Sequence, residues 1–174
     1  MEVFYRNGSA LVRYAEEKDI PLILEFIRGL AEYEHLLDQV EADEAGLRKA
    51  LFQDHIARVL IGEYRGEPAG FALFFHNFST FLGKPGIYIE DLFVKPELRG
   101  LGLGKLLLSL IAKIAAEEGC GRLEWSCLNW NTPSIRFYQN QGARPLSEWT
   151  IYRVSGEALK KLGDKAQSPG PVTK

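Results

Sequence analysis

From Leu92 to Lys105 the chain reads Leu-Phe-Val-Lys-Pro-Glu-Leu-Arg-Gly-Leu-Gly-Leu-Gly-Lys. Apolar strand residues stop at Pro96, glycines stand at 100, 102 and 104, and an amphipathic helical pattern begins. Successive backbone N–H groups in such a turn, backed by the positive end of a helix, make a site for phosphate oxygens. Glycines at alternate positions let the main chain approach a ligand with no Cβ in between. The chemistry to which the stretch points is the holding of a phosphorylated cofactor. Two familiar phosphate loops fail on spacing. A dinucleotide fingerprint counted from Gly100 needs glycine where Lys105 stands, and counted from Gly102 it needs glycine at Leu107. A P-loop ending in Gly104-Lys105 needs glycine at Arg99 and a hydroxyl at Leu106.

What remains, Arg99-x-x-Gly102-x-Gly104 after a strand, resembles the turn with which acetyltransferases of the GNAT superfamily grip the pyrophosphate of coenzyme A. Acetyl transfer from a thioester to an amine asks that the amine lose a proton, that the oxyanion be stabilised and that the thiolate be reprotonated. An alkyl ammonium has a pKa of about 10, so at neutral pH nearly all of it arrives unable to attack. A thiol of pKa about 8.5 leaves better beside an acid of comparable or modestly higher pKa, a part that tyrosine fills.

Tyr138 is the leading candidate for that acid. It stands about two turns into a helix that begins Asn131-Thr132-Pro133-Ser134, whose positive end brings Asn131 and Ser134 toward the cofactor. A tyrosine packed in the core with its hydroxyl in water is the plain alternative. Glu90 and Asp91 interrupt an apolar strand, and adjacent strand residues face opposite ways, so one of them faces a given cleft. Glu90 is taken as that residue: it accepts the amine proton through a water or simply holds the ammonium group, unless both are edge carboxylates paired with cations. Tyr33 and Glu34 end a first helix among Glu32, Asp38 and Glu41, an anionic mouth for a cationic amine or equally a solvated helix face. Glu124, Trp125 and Ser126 on the penultimate strand are further candidates to line the acceptor side. Cys127 has no histidine positioned by sequence and reads as a structural thiol.

These residues need elements to hold them. Leu11-Val12-Arg13 is the expected first strand, and Asp19 is expected to cap a helix with apolar residues at Ile20, Ile23, Leu24, Ile27, Leu30 and Ala31. A weaker helix runs from Asp43 to Phe52. Strands follow over 57–64, 69–76 and 87–94, the first two joined by Arg65-Gly66-Glu67-Pro68. The helix after the glycine turn is lined by Leu107, Leu110, Ile111 and Ile114 and stops at Gly119. Then come a strand over 123–128, the helix capped by Asn131 or Thr132 and closed by Gly142, a late strand over 149–154, and a short helix over 157–162. This order predicts an α/β fold, a mixed and mostly antiparallel central sheet flanked by helices. A parallel crossover surrounds the glycine turn, with the cofactor at the carboxyl end of the 87–94 strand.

At 174 residues and 46% hydrophobic, the chain is expected to form one domain over residues 1–162, followed by a disordered tail over 163–174. A net charge of −2 provides no basic field for nucleic acid or an anionic membrane. No apolar run reaches the roughly 18 residues that a membrane helix needs, and the first residues lack a signal layout, so a cytoplasmic location is expected. Three scattered histidines and two cysteines show no ligand spacing, and no metal is expected.

With these residues in place the chain resembles GNAT acetyltransferases over about residues 12–162, and more narrowly the diamine acetyltransferase family, which includes spermidine/spermine and thialysine acetyltransferases. The matching stretches are Leu30-Ala31-Glu32-Tyr33-Glu34, Asp38-Gln39-Val40, Tyr88-Ile89-Glu90-Asp91, the Arg99–Gly104 loop, Trp130-Asn131, Tyr138 and Gly142-Ala143. The resemblance implies acetyl-CoA as donor, a small-molecule amine as acceptor, direct transfer without an acyl-enzyme, a homodimer, and Tyr138 as the acid. It implies coenzyme A contacts from Leu92, Phe93 and Val94, from Arg99, Gly100, Leu101, Gly102, Leu103, Gly104 and Lys105, and from Asn131, Thr132, Pro133 and Ser134. Tyr33, Glu34 and Glu90 fall where the family handles the amine. In the polyamine branch an Asp and a Trp precede the Gly-Lys before the Glu-Asp strand; here Ser79 and Phe81 stand ahead of Gly83-Lys84, as in the thialysine-type branch. Acetylation of a protein lysine or N-terminus, and an acyl-CoA-binding regulatory module without turnover, are the competing readings. Possession of both Tyr138 and Glu90 speaks against the module.

Overall fold

Alternating and continuous apolar runs assemble six strands into one sheet: β1 (Val3–Asn7), β2 (Ala10–Tyr14), β3 (Arg58–Tyr64), β4 (Glu67–Ser79), β5 (Lys84–Val94) and β6 (Leu123–Trp125). The order is sequential and every neighbouring pair is antiparallel except β5 and β6, which run parallel. A parallel step needs a crossover, and α3 (Leu103–Glu117) supplies it. The computed structural model describes residues 3–166 and divides into two units, Met1–Arg136 and Phe137–Lys174. The sheet lies wholly in the first. The expected α/β class and mostly antiparallel sheet are present.

Val59 to Gly62 are buried in succession, because helices cover both faces of the sheet. On one face α1 (Ile20–Tyr33) packs Ile23 and Phe26 with Val59, Ile61, Phe71 and Phe93, joined by Leu51 just after the short α2 (Glu44–Arg48). Phe26 stacks on Phe71 with centroids 5.5 Å apart, and a Cβ on Gly29 would meet the Phe93 ring at 3.0 Å. On the other face α3 buries Leu107, Ile111 and Ile114, and Gly62 leaves the room that Leu107 uses.

Several expectations need correction. The strand read at Leu11 is the second of the sheet, since β1 precedes it with a short and partly polar pattern. The strand expected over 123–128 ends at Trp125, where its pairing with β5 ends. The late strand over 149–154 is absent; that stretch is irregular, with Trp149, Ile151 and Tyr152 exposed. Its alternation suits a strand, but the described residues of the second unit contain no strand for it to pair with, and an isolated strand leaves its backbone unsatisfied. That unit holds the end of α4 (Thr132–Asn140), the Gly142 turn at φ +88° and α5 (Gly156–Asp164). The last helix thus passes the expected boundary at Leu162, and residues 167–174 of the expected tail lie outside the described residues.

Asp19 does not cap α1. Its carboxylate accepts two hydrogen bonds from the buried Arg13 guanidinium (2.6 and 3.0 Å) and one from the Glu16 N–H (2.7 Å), while Arg13 Nε donates to Glu63 (2.8 Å). This network ties β2 and β3 to the start of α1. Removing one partner strands a buried charge, so Asp19→Ala should cost about 3–5 kcal/mol in urea unfolding. A loss of under ~1 kcal/mol would show that water replaces the carboxylate.

Candidate active site

The site begins with a mismatch between two strands. Leu73 pairs with Asp91, and the next β4 residue, Phe74, pairs with Ile89, which leaves Glu90 without an opposite number. This bulge changes which face each residue takes. Phe74 lies under Arg58, which binds Glu118 at the end of α3, so Phe74 and its partner Ile89 face α3. Leu73 packs with the α1 core, so Leu73 and its partner Asp91 face α1. Without the surplus residue, Ile89 and Asp91 would share a face.

Pairing of β5 with β6 ends at the same level, at Ile89 and Trp125. β5 runs on to Val94, so the edge of Glu90–Val94 turned away from β4 carries main-chain groups with no strand partner. The Lys95 N–H bonds the Ala69 carbonyl of β4, and alternation turns the Phe93 main-chain groups to β4 as well, so it is Leu92 and Val94 whose main-chain groups face this edge. Past Pro96 the turn takes left-handed φ at Gly100 (+79°) and Gly102 (+85°). A Cβ at either would meet open space, so backbone conformation, and not packing, demands glycine there. Gly102 is the N-cap of α3 and has no side chain to satisfy the first N–H groups of that 15-residue helix. The unpaired edge and this uncapped positive end suit the amide and pyrophosphate parts of coenzyme A. Lys105 is exposed in the first turn of the same helix.

Arg99 behaves differently from the rest of the loop. Its guanidinium lies 4.3 Å from the Tyr33 ring centroid, and its Nε donates to the Val94 carbonyl at 3.0 Å. The Tyr33 hydroxyl in turn donates to Asn131 Oδ1 at 3.0 Å. Asn131 is buried, and the same oxygen accepts from the Ser134 N–H (3.3 Å), which settles Asn131 as the cap of α4. Tyr33 therefore joins the glycine loop, the end of α1 and the start of α4. Trp130 lies against Tyr33 and His35, at 6.1 and 5.8 Å between centroids. The chain leaves α1 through His35 at φ +61°, with the Leu36 N–H returning to the Ala31 carbonyl. Thr132 and Pro133 are exposed in the first turn of α4, and Tyr138, half-buried, lies on the part of that helix assigned to the second unit.

Glu34, Glu90 and Asp91 come together where α1 ends over the bulge. Glu90 is exposed, and Asp91, which sequence reading set aside, is the half-buried one. Burial, reinforced by the Glu90 and Glu34 charges, pushes the Asp91 carboxyl up to about 7. Burial also raises the Glu34 carboxyl, and burial with the Glu34 charge raises the Cys127 thiol, which fits a structural cysteine. The remaining candidates sit along β6 and just after it. Glu124 accepts from Asn77 (3.0 Å) and pairs with Arg122 (2.8 Å), and Ser126 Oγ shares a 2.7 Å hydrogen bond with the Tyr88 hydroxyl. One grouping invisible in sequence brings His76, Glu118 and Cys120 within 4.8 Å of one another. Arg58 holds both Glu118 oxygens, at 2.6 and 2.9 Å, and puts a positive charge where a metal ion would have to approach.

A strand edge left open beside a glycine turn and an uncapped helix suits a coenzyme A-dependent transferase, and comparison agrees. The model of the Acetyltransferase (GNAT) family matches residues 23–143. Thialysine N-epsilon-acetyltransferase of Sus scrofa is 38% identical over 91% of this chain and 99% of its own length. L-ornithine N5-acetyltransferase of Arabidopsis thaliana is 32% identical over 87% of this chain and 86% of its own. Among solved structures, an integron cassette protein from V. cholerae superposes with a TM-score of 0.76 at 26% identity, covering 90% of this chain and 99% of its own. The chain belongs to the GNAT acetyltransferase family. It is an acetyltransferase, and members of that family use acetyl-CoA.

The folded state holds the Asp91 proton more tightly than an unfolded chain does. Its stabilising effect is therefore complete below about pH 4 and is lost as pH rises through about 7. Asp91→Asn removes the buried charge, so its melting temperature should exceed that of wild type by more at pH 8 than at pH 5. An equal offset at both pH values would show that Asp91 is not held protonated by the fold.

Proposed function

We propose that this enzyme acetylates the primary amine of a small lysine-like molecule, thialysine or a close analogue. The observation that carries this reading is the acidic group at the bulge: Glu34, Glu90 and Asp91 have no ion-pair partner among the described residues, beside a strand edge suited to the donor. An ammonium group completes such a site electrostatically. The similarity to thialysine and ornithine acetyltransferases supports a compact amine. Ser79 supports it as well, being buried with its Oγ accepting from the Leu82 N–H, where the polyamine branch places a carboxylate. Each further ammonium of a polycation needs a charged or aqueous partner to offset its desolvation.

In this reading Glu34 and Glu90 receive the ammonium group, Tyr33 closes the site above them, and Glu124, Trp125 and Ser126 bound its far side. Acetyl-CoA supplies an activated acetyl group on a thiol leaving group. Main-chain groups of Leu92, Val94 and Gly100–Lys105, with Asn131–Ser134 at the start of α4, hold it. Tyr138 gives its proton to the departing sulfur. A homodimer and a cytoplasmic location remain part of the proposal and rest on the family resemblance. No helix among the described residues is long and apolar enough to cross a membrane.

Specificity is tested by kcat/KM for thialysine, lysine, ornithine and spermidine under one condition, followed as release of free coenzyme A. Thialysine should lead, helped by the lower pKa that its sulfur gives the amine. Spermidine leading by a wide margin would overturn the assignment of substrate. The acid is tested separately: Tyr138→Phe should fold and bind acetyl-CoA normally yet lose about 10²-fold or more in kcat. A rate within a few-fold of wild type would assign the proton to water or to another residue.

A further inference from the structure

Asp91 is the one acidic residue of this group without a role in the reading above. The bulge sets it on the α1 face of β5, two residues before Phe93 and opposite Leu73, beneath the last turn of α1 that carries Glu34. It also stands one residue past the last β5–β6 pair, at the level where the strand edge opens to the donor. We propose that Asp91, on this face of the bulge beside Glu34, is the group that takes the proton from the acceptor's ammonium, with exposed Glu90 passing it on to water. The inference rests on the amine-acetylation reading and deepens it.

The charged and titratable groups around Asp91 come from each element packed against it. Glu90 and Tyr88 are on its own strand, Tyr33 and Glu34 end α1, Cys127 follows β6, and Arg99 leaves the glycine loop. Tyr88 is engaged with Ser126, Tyr33 with Asn131, and Arg99 with the Tyr33 ring and the Val94 carbonyl. The influences on Asp91 are burial and two carboxylates, all of which favour the protonated form. An arriving ammonium reverses this balance: it displaces the Asp91 proton to solvent and leaves a carboxylate beside a cation. One N–H bond of the ammonium then breaks, the proton goes to an Asp91 oxygen, and the electron pair stays on nitrogen for attack. An ordinary aspartate lies about six pKa units below an alkyl ammonium. A carboxyl held at about 7 before the amine arrives lies about three below, so burial and the neighbouring carboxylates narrow the gap that the transfer must cross.

The experiment begins without acetyl-CoA. Thialysine is titrated calorimetrically into wild type at pH 7 in two buffers of different ionisation enthalpy. Binding should release about half a proton from wild type, a smaller but measurable fraction from Glu90→Gln, which loses one of the charges that raise Asp91, and close to none from Asp91→Asn. With acetyl-CoA, kcat/KM of wild type should climb through the free-enzyme value of about 7, and kcat through a lower apparent pKa, because the bound ammonium stabilises the carboxylate. Asp91→Asn should lose about 10²-fold or more and lose that limb, whereas Glu90→Gln should keep it. Proton release and a pH limb that survive in Asp91→Asn but vanish in Glu90→Gln would overturn the proposal and return the role to Glu90. Wild type binding thialysine with no proton release would also overturn it, without need of any variant. If wild type acetylates amines while Asp91→Asn stays within a few-fold of it, the proposal fails and the function stands. If wild type acetylates no small amine, the functional reading fails first.

Discussion

A strand with one residue more than its neighbour must bulge, and here the surplus falls at Glu90 in the middle of the longest pairing of the sheet. Three features of the site depend on that single mismatch. It turns Asp91 toward α1 while Ile89 stays toward α3, so an acid can sit on one face without costing the other face its apolar packing. It coincides with the last β5–β6 pair, beyond which the edge of β5 is open. It brings the acidic residues of β5 to the level at which α1 ends. A bulge is a local disruption of a ladder, and it persists here because Phe71 and Phe93 anchor β4 and β5 on one side of it and Phe75 and Tyr88 pack on the other.

Tyr33 is the second point on which the arrangement turns. Its ring carries Arg99 from the glycine loop, and its hydroxyl reaches the oxygen of Asn131 that caps α4. One side chain thus joins the glycine loop, the end of α1 and the start of α4. The role differs from simple contact with an amine. The arginine of the glycine motif is correspondingly engaged with the Val94 carbonyl and the Tyr33 ring, while Lys105 in the first turn of α3 is exposed.

Electrostatics separates the two ends of α1. Where α1 ends, carboxylates crowd without cations and are pushed toward their protonated forms. Where β2 meets the start of α1, the opposite holds: Arg13 is buried between Asp19 and Glu63 and keeps Asp19 below the usual carboxylate range in spite of its burial. The paired network secures the fold, and the contrast with it is what supports the proposed role for the unpaired carboxylates.

Much of this was legible in the chain itself. Local signals are enough for elements whose cause is local: the glycine turn with its positive φ, the apolar stripes of α1 and α3, the long strands, and the Asn131 cap all follow from neighbours in sequence. The candidates Tyr33, Glu34 and Glu90 came from the family resemblance, since by residue type alone an acidic helix end reads equally as a solvated face and Glu90 as an edge carboxylate. Which of two adjacent acids is buried was not legible, since alternation assumes an even ladder and the bulge is a property of two strands together. Asp19 shows the same limit: its position before a helix suggested a cap, but a buried Arg13 is a stronger partner than an exposed helix end. The stretch 149–154 alternates like a strand and is not one, because a strand exists only where another lies beside it. Residue types and short spacings determined the chemistry available to this protein; the pairing of distant strands decided which carboxyl is half-buried on the α1 face and which is exposed, because burial and charge are set by neighbours that only the folded chain provides.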